Sequence, residues 1–471
     1  MSLIDKMVSI LFPLKEVKKH IEANDFRMAY RHYLHYLYFG GEYSSSIEQL
    51  LLNKVSDDVP SKIAVSSWDF SHNAVGRATT LFDLYRYTQY DVDLIGCMIQ
   101  NNAKNHKKVW QPLNDSQIIY NFFEINQADI DDLLPKAIDF VIKNPYSIVH
   151  FSKPRITNII LGILYRHIWG AKIILDIDDE ELAFLKEKKS NFEYSNNIKD
   201  DYWTNYSVSL YDIFDSITVS NPALQHKYGG TIIPHIRNEK IFYPNQTLKA
   251  QNREKYSINQ TDKVVLFFGT PKRHKGLLET AKAISQIGCQ ELLFLIVGDF
   301  PELALKEELL AIDNVRYMFL PNQPYDQAKN IVAMGDMCIL MQDEHSEIAR
   351  YQLPAKLIDA LAMGLTVFLQ KTPATEHLIS APNIYFVNQN NLGEYLKHYL
   401  QQNNDSQNSA SQYQYFLENF SAKTYSPVID KIVNDLNISS YDPKKSFDFI
   451  RELSNIGSVK KFLENFGKNE N

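Results

Sequence analysis

Apolar positions change period twice along the chain. Up to about residue 58, Leu14, Val17 and Ile21, and then the run Phe26–Tyr38, place apolar and aromatic residues three and four apart, which predicts helices. The run Phe26–Tyr38 interleaves aromatics with Arg and His, as in a packing face of a helical hairpin or a helix that meets a membrane surface or partner. From Lys62 the pattern becomes short apolar runs alternating with amphipathic stretches. Ile63–Ser67, Asp91–Cys97, Ser147–Phe151, Ala171–Asp176 and Ser216–Ser220 read as strands. Ala74–Tyr87, Ile156–Trp169 and a segment starting near Pro222 read as helices. The alternation restarts at Lys263, with strands at Val264–Gly269, Leu292–Asp299, Asn314–Leu320, Met337–Met341, Leu365–Leu369 and Ile384–Val387. Such alternation implies parallel sheets covered on both faces.

The predicted organisation is a helical N-terminal extension (1–58), a Rossmann-like domain (59–235), a second Rossmann-like domain (236–425) and a helical tail (426–471). The segment from Ile233 to Asn259, carrying Pro234 and Pro244, is the natural hinge. Gln401–Gln412 is almost wholly polar and reads as an exposed loop; the segment after Pro443 reads as a polar helix. Two doubly wound sheets facing each other form a cleft at their strand ends, suited to an enzyme that joins two substrates.

Composition narrows the class. A net charge of −7 gives no basic excess for binding nucleic acid. Cys97, Cys289 and Cys338 are far apart, with neither metal nor disulfide spacing, and read as buried thiols in a reducing compartment. The N-terminus lacks signal-peptide shape, because Lys15, Lys18 and Lys19 break the apolar stretch. No run approaches the roughly 20 apolar residues of a membrane span. A cytoplasmic protein is expected.

Two segments carry chemistry. Phe268-Gly-Thr-Pro-Lys-Arg-His-Lys-Gly276 joins a buried strand to a helix. Gly269 and Gly276 permit a tight turn, and Lys272, Arg273 and Lys275 gather positive charge where a leaving diphosphate would need it. A solvated charged loop is the plain alternative. Tyr351-Gln-Leu-Pro-Ala-Lys-Leu-Ile-Asp-Ala-Leu-Ala-Met-Gly364 starts a helix at Pro354 and stops it at Gly364. The free N–H groups of the helix start, which Leu353, Pro354 and Ala355 open, would face the cleft as an anion site, with Asp359 placed to accept from ribose hydroxyls. An ordinary amphipathic helix would look similar.

In this order and spacing, the two segments resemble the nucleotide-sugar domain of the retaining GT-B glycosyltransferases of family four. The resemblance covers about Lys62 to Tyr425. It implies an α/β GT-B architecture and transfer of a sugar from a nucleotide-sugar donor to a glycan or lipid-linked acceptor, with retention and without cofactor or metal. Lys275 matches the family's loop lysine. Thr270 replaces its arginine, with Arg273 as the candidate substitute. Asp359 matches the second carboxylate of the Glu-x7-Glu motif. The first falls by spacing on Tyr351, with Glu344 and Glu347 just upstream. The N-terminal half matches more loosely. His72, Asn73, Gly76 and Arg77 follow the first strand, and His150, Lys153 and Arg155 end another; these are the acceptor-side candidates, with His72 also a catalytic one. Asp176 and Asp178 form an Asp-x-Asp, read here as hydroxyl-binding or helix-capping rather than metal-ligating.

Other readings remain: a nucleotide-sugar epimerase of the same architecture, or a non-catalytic glycosyltransferase-like subunit. No Gly-x-Gly-x-x-Gly follows a strand, which disfavours a dehydrogenase. The N-terminal extension pairs Met7–Pro13 with nearby lysines and a Tyr-rich run, so it either touches the inner face of a membrane or packs inward or against a second copy.

Overall fold

The computed structural model describes residues 13–38, 44–55, 61–100, 108–128, 130–188, 194–342, 346–401, 405–437, 445–446 and 449. Residues 7–12 of the N-terminal apolar stretch, Glu344, and most of the chain after Pro443 lie outside these residues.

Two parallel sheets organise the chain. The first has the strand order β3-β2-β1-β4-β5-β6-β7 and the second β10-β9-β8-β11-β12-β13. In the first, β1 (Ile63–Ser67) pairs in parallel with β2 (Val92–Gln100) and with β4 (Ile148–Ser152). β3 is Tyr120–Asn126, β5 Lys172–Ile177, β6 Ser216–Val219 and β7 Thr231–Ile232. In the second, β8 (Lys263–Phe268) lies between β9 (Leu292–Val297) and β11 (Met337–Leu340). β10 is Arg316–Leu320, β12 Thr366–Gln370 and β13 Ile384–Val387. Each sheet reverses its strand order beside its first strand, at β1/β4 and β8/β11. A crevice opens outside the strand carboxyl ends at such a reversal. Helices cover both faces, as the continuous burial of β1 and β9 requires. This is the doubly wound, two-domain GT-B architecture, flanked by helices at both ends of the chain.

The N-terminal helices Pro13–Glu22, Phe26–Tyr38 and Ser45–Val55 belong to the first domain's core. Tyr30, Tyr33 and Leu34 are fully buried. The Tyr30 hydroxyl lies 2.5 Å from His167 Nδ1, and Arg27 stacks on Trp169 at 4.2 Å. These residues of the Tyr-rich run therefore pack inward on the helix Ile156–Trp169. No helix among the described residues is long and apolar enough to cross a membrane.

The chain crosses between domains twice, side by side. Arg237 N donates to Phe420 O, and Ala422 N to Arg237 O. The helix Ala422–Asp435 then returns to the first domain, where Ala422 and Ile429 join Val75, Ala78 and Leu81. One expectation fails. Much of the polar stretch Gln401–Gln412 is not loop but the start of a helix, Asp405–Asn419. Its later residue Phe416 is buried against the second domain's core and fixes the helix that the polar residues begin.

Candidate functional site

The loop after β8 and the helix after β11 meet at the second sheet's reversal point. Gly269 leaves β8 with φ 128°. Residues Arg273–Lys275 form one 3-10 turn, closed by Gly276 at φ 69°. That glycine has two reasons to be there: its backbone is left-handed, and a Cβ would stand 2.2 Å from Met341 Cβ. The turn folds Lys275 back, so that its Nζ donates to Thr270 O at 2.8 Å. The Lys275 ammonium is pushed down to about 6, first by burial and then by Lys356 and Lys272, with Asp179 opposing. Arg273 points elsewhere. It binds Glu302 at 3.2 Å and Glu308 at 2.6 Å on the exposed side of the loop, so it does not stand in for the loop arginine.

The helix Ala355–Ala362 begins after Pro354, which takes the cap position rather than the first helical one. Leu353 is buried beneath it. Asp359 faces the hinge, and one of its carboxylate oxygens accepts from Arg237 Nε at 2.6 Å. Lys356, in the first turn, was not singled out from the sequence. Its Nζ lies 4.6 Å from the centre of the Phe267 ring, and its Cε would be 3.1 Å from a Cβ at Gly269. Burial lowers its pKa. A signal was present in the sequence: helix first turns favour acidic residues, and a lysine there opposes the helix dipole unless an anion joins it.

The segment bearing the spacing match for a first carboxylate docks on the other domain. Ser346 caps the short helix Glu347–Tyr351, leaving Glu347 exposed at its start. Tyr351 lies against the first domain's core, 5.3 Å from Lys227 Nζ, and its carbonyl accepts from Asn221 Nδ2 at 2.8 Å. Gln352 Nε2 donates across the cleft to Asp179 Oδ1 at 3.0 Å.

The first domain sorts its candidates into two groups. His72 and Asn73 sit on the loop after β1, at the cleft. His72 lies against Trp68, with ring centroids 5.4 Å apart, and its Nδ1 accepts from Ala74 N at 3.1 Å. The residue is exposed at the cleft, and desolvation by its neighbours lowers its pKa to about 4, with Lys199, Arg155 and Lys153 adding to the effect and Asp69 opposing it. Gly76 is the second residue of the following helix, Val75–Tyr85.

Arg77 and His150 instead face inward. Arg77 is fully buried, gripping Asp176 at 2.7 and 2.8 Å and donating to Ile233 O and Pro234 O of the hinge. His150 lies between Tyr85 and Thr218 and is lowered to about 4 by burial. Both candidates are corrected to interior positions: the polar ends of β4 and β5 lie beneath the helix Val75–Tyr85, not at the cleft surface.

Lys153, at φ 76°, joins Asp178 at 2.8 Å, Asp179 at 2.6 Å and Glu181 at 3.1 Å. Burial works against its charge, but the three carboxylates outweigh it and hold the pKa well above the ordinary value. Arg155 pairs with Glu181 at 3.0 Å and stacks on Trp68 at 4.7 Å. Asp176 and Asp178 are thus each held by a cation. Among the described residues, one group of three His or carboxylate side chains is close enough to share a metal ion: Glu16, His20 and His32, on the N-terminal helices rather than at the strand ends.

The two domains face each other across a cavity of about 300 Å³. Asn73 and Trp110 line it from one side, and Thr270, Lys272, Asp299, Phe300, Pro301 and Asn322 from the other. Its lining thus carries one cation, Lys272, and one carboxylate, Asp299, beside aromatic and amide side chains.

No family model matches the chain. The putative colanic acid biosynthesis glycosyl transferase WcaI of Escherichia coli K12 is 28% identical over 148 residues, 29% of this chain and 36% of that protein. The match therefore spans about a third of that relative's length. Among solved structures, the sucrose-phosphate synthase of Thermosynechococcus elongatus superposes with a TM-score of 0.60 at 15% identity, covering 80% of this chain and 99% of that one. Anabaena Alr3699/HepE, solved in complex with UDP and glucose, gives 0.60 at 15% identity, covering 80% and 100%. These likenesses establish the fold. The chain is a GT-B-fold, glycosyltransferase-like protein with a weak sequence tie to WcaI.

Proposed function

We propose that this protein is a glycosyltransferase that moves a sugar from a nucleotide-sugar donor to a glycan or lipid-linked acceptor, with retention and without a metal ion. The observation that carries the reading is the meeting of the Lys275 turn with the N-terminal end of the helix Ala355–Ala362 at the β8/β11 reversal. Lysines and helix N–H groups at one point suit a diphosphate, whose charge grows as the glycosidic bond breaks.

On this reading Lys275 holds the departing diphosphate. Gly269, Thr270, Lys272 and Gly276 shape its loop, and Leu353, Pro354 and Ala355 present the helix end. Asp359 takes the ribose hydroxyls with the oxygen that Arg237 leaves. Asn73 and His72, across the cleft, contact the sugar or the acceptor, and Lys153 and Arg155 hold the acidic wall beside them. Glu347 is the described carboxylate nearest in sequence to the spacing match at Tyr351. UDP and glucose are named with the Anabaena structure, which makes UDP-sugars the first donors to try. The binding test is thermal stabilisation of the purified protein across a panel of nucleotide sugars. The catalytic test is acceptor-dependent release of nucleoside diphosphate, with the anomeric configuration of the product read by NMR. A donor that binds but yields diphosphate with no acceptor dependence would leave an epimerase or a binding subunit as the better reading.

A further inference from the structure

Two lysines approach the turn at Gly269 from different elements. Lys275 reaches it from the loop after β8, and Lys356 from the first turn of the helix Ala355–Ala362. Among the described residues, Lys275 donates to a neutral acceptor, the carbonyl of Thr270. Lys356 lies over the Phe267 ring, with its Cε against Gly269. No ion pair to either lysine occurs among the described residues, although acidic groups lie within electrostatic range. Asp359 and Cys338 act on Lys356, and Asp179 on Lys275. Asp179 is occupied by Lys153 and Gln352, and Asp359 by Arg237.

Desolvating two ammonium groups side by side is unfavourable unless an anion joins them. Arg273, which is free of neither Glu302 nor Glu308, does not serve. Gly269 leaves room for the Lys356 stem where a side chain would crowd it.

We infer that Lys356 is a second ligand-contacting cation of this site, and that Lys275 and Lys356 together clasp the two phosphoryl groups of a diphosphate. The inference rests on the functional reading above and extends it to a residue and a stoichiometry of charge. It also carries a proton signature. Lys275 is held near 6, chiefly by burial, with the Lys356 and Lys272 charges contributing and Asp179 opposing. A bound diphosphate restores its ammonium form. Binding at pH 7.5 therefore takes up protons, and affinity falls as pH rises above about 6. Removing the Lys356 charge raises Lys275 towards its ordinary value and shrinks the uptake.

Inorganic pyrophosphate is the probe, because it needs no assumption about the nucleobase. Isothermal titration in buffers of different ionisation enthalpy gives both affinity and proton uptake, and because pyrophosphate itself titrates near neutral pH, the uptake assigned to Lys275 is the difference between wild type and Lys275→Met. Wild type is expected to bind pyrophosphate more tightly than inorganic phosphate, with uptake. Lys356→Met is expected to weaken pyrophosphate at least tenfold and to take up fewer protons, and Lys356→Arg to restore affinity. Melting curves check that each variant is folded, and Lys356→Gln replaces the Met variant if that one is not. Wild-type affinity and uptake in folded Lys356→Met or Lys356→Gln, alongside loss of binding in Lys275→Met, would overturn the role of Lys356 and leave the diphosphate site standing. Failure of wild type to bind pyrophosphate or any nucleoside diphosphate would overturn the site itself.

Discussion

Replacing Lys275 with Ala separates function from stability, because the side chain contributes to them with opposite signs. In the folded protein Lys275 makes one hydrogen bond among the described residues, to Thr270 O. Losing a bond of that kind costs about 1 kcal/mol. Against this stands a half-buried ammonium beside Lys356 and Lys272, with its pKa lowered to about 6. An unfolded lysine titrates at about 10.4. Between these values the unfolded chain binds more protons at this position, so the lysine penalises the fold most at and below pH 6. The penalty fades as pH rises towards 10.

Lys275→Ala is therefore expected to melt no lower than wild type at pH 6, with any advantage shrinking as pH rises. Turnover moves the other way. One charge-assisted contact to a departing diphosphate contributes about 2–4 kcal/mol to the transition state, or roughly thirty- to a thousand-fold in rate. Melting curves from pH 6 to 9 and steady-state diphosphate release measure the two quantities on the same samples. Wild-type turnover in the variant would remove the phosphate-loop assignment. So would a drop in melting temperature large enough to account for the lost activity.

Four further outcomes follow from the geometry. Arg77→Met leaves Asp176 buried without its partner and releases the carbonyls of Ile233 and Pro234, so chemical denaturation should show a loss of about 3–5 kcal/mol; a loss under 1 kcal/mol would refute the structural role. Gly276→Ala should cost at least about 1–2 kcal/mol for its left-handed backbone, before the overlap with Met341 is added, and a melting temperature equal to wild type would contradict the turn. Activity should survive EDTA, since Arg77 and Lys153 occupy Asp176 and Asp178; loss restored by Mn²⁺ would reassign those carboxylates. Lys15, Lys18 and Lys19 stand on a helix whose neighbours pack inward, so any contact with anionic liposomes should be electrostatic and disappear when all three become Glu; flotation that survives the change would point to another surface.

How much of this could be read from the chain depends on whether a residue's neighbours are local. Leu292–Val297 is apolar at every position and was legible as a strand, because burial on both faces leaves no other pattern. β3 was not, because Tyr120–Asn126 is a half-exposed edge strand carrying Asn121 and Glu124. The helix Asp405–Asn419 was hidden because its opening residues are polar and Tyr413 and Phe416, late in it, do the packing. In the site, Lys275 was legible because its turn glycines lie beside it. Lys356 looks in the sequence like one more helix residue, since its meaning depends on Gly269 and Phe267, almost ninety positions away. Arg77 and His150 misled for the same reason. Arg77 lies on the helix Val75–Tyr85 itself and His150 inside β4, and both turn into the interface between that helix and the sheet, against Asp176 and Tyr85, rather than to the cleft.

The hinge and the proposed donor site share a charge. Asp359, the carboxylate proposed to take ribose hydroxyls, already binds Arg237, and Arg237 N lies in the paired crossing between the domains. Arg77 holds the preceding hinge carbonyls from the other domain. On the far side of the cleft, Gln352 and Tyr351 tie the second domain to Asp179 and Asn221. A nucleotide that draws on Asp359 must therefore share it with the hinge or loosen that contact. One that enters beside Gln352 meets the cross-cleft tie to the acidic wall. Because Tyr351 is turned to this tie, the position that elsewhere would offer a carboxylate to the donor here serves contact between the domains. The ties between the domains and the proposed donor contacts therefore fall on the same short segment, Tyr351 to Asp359, which also carries Lys356.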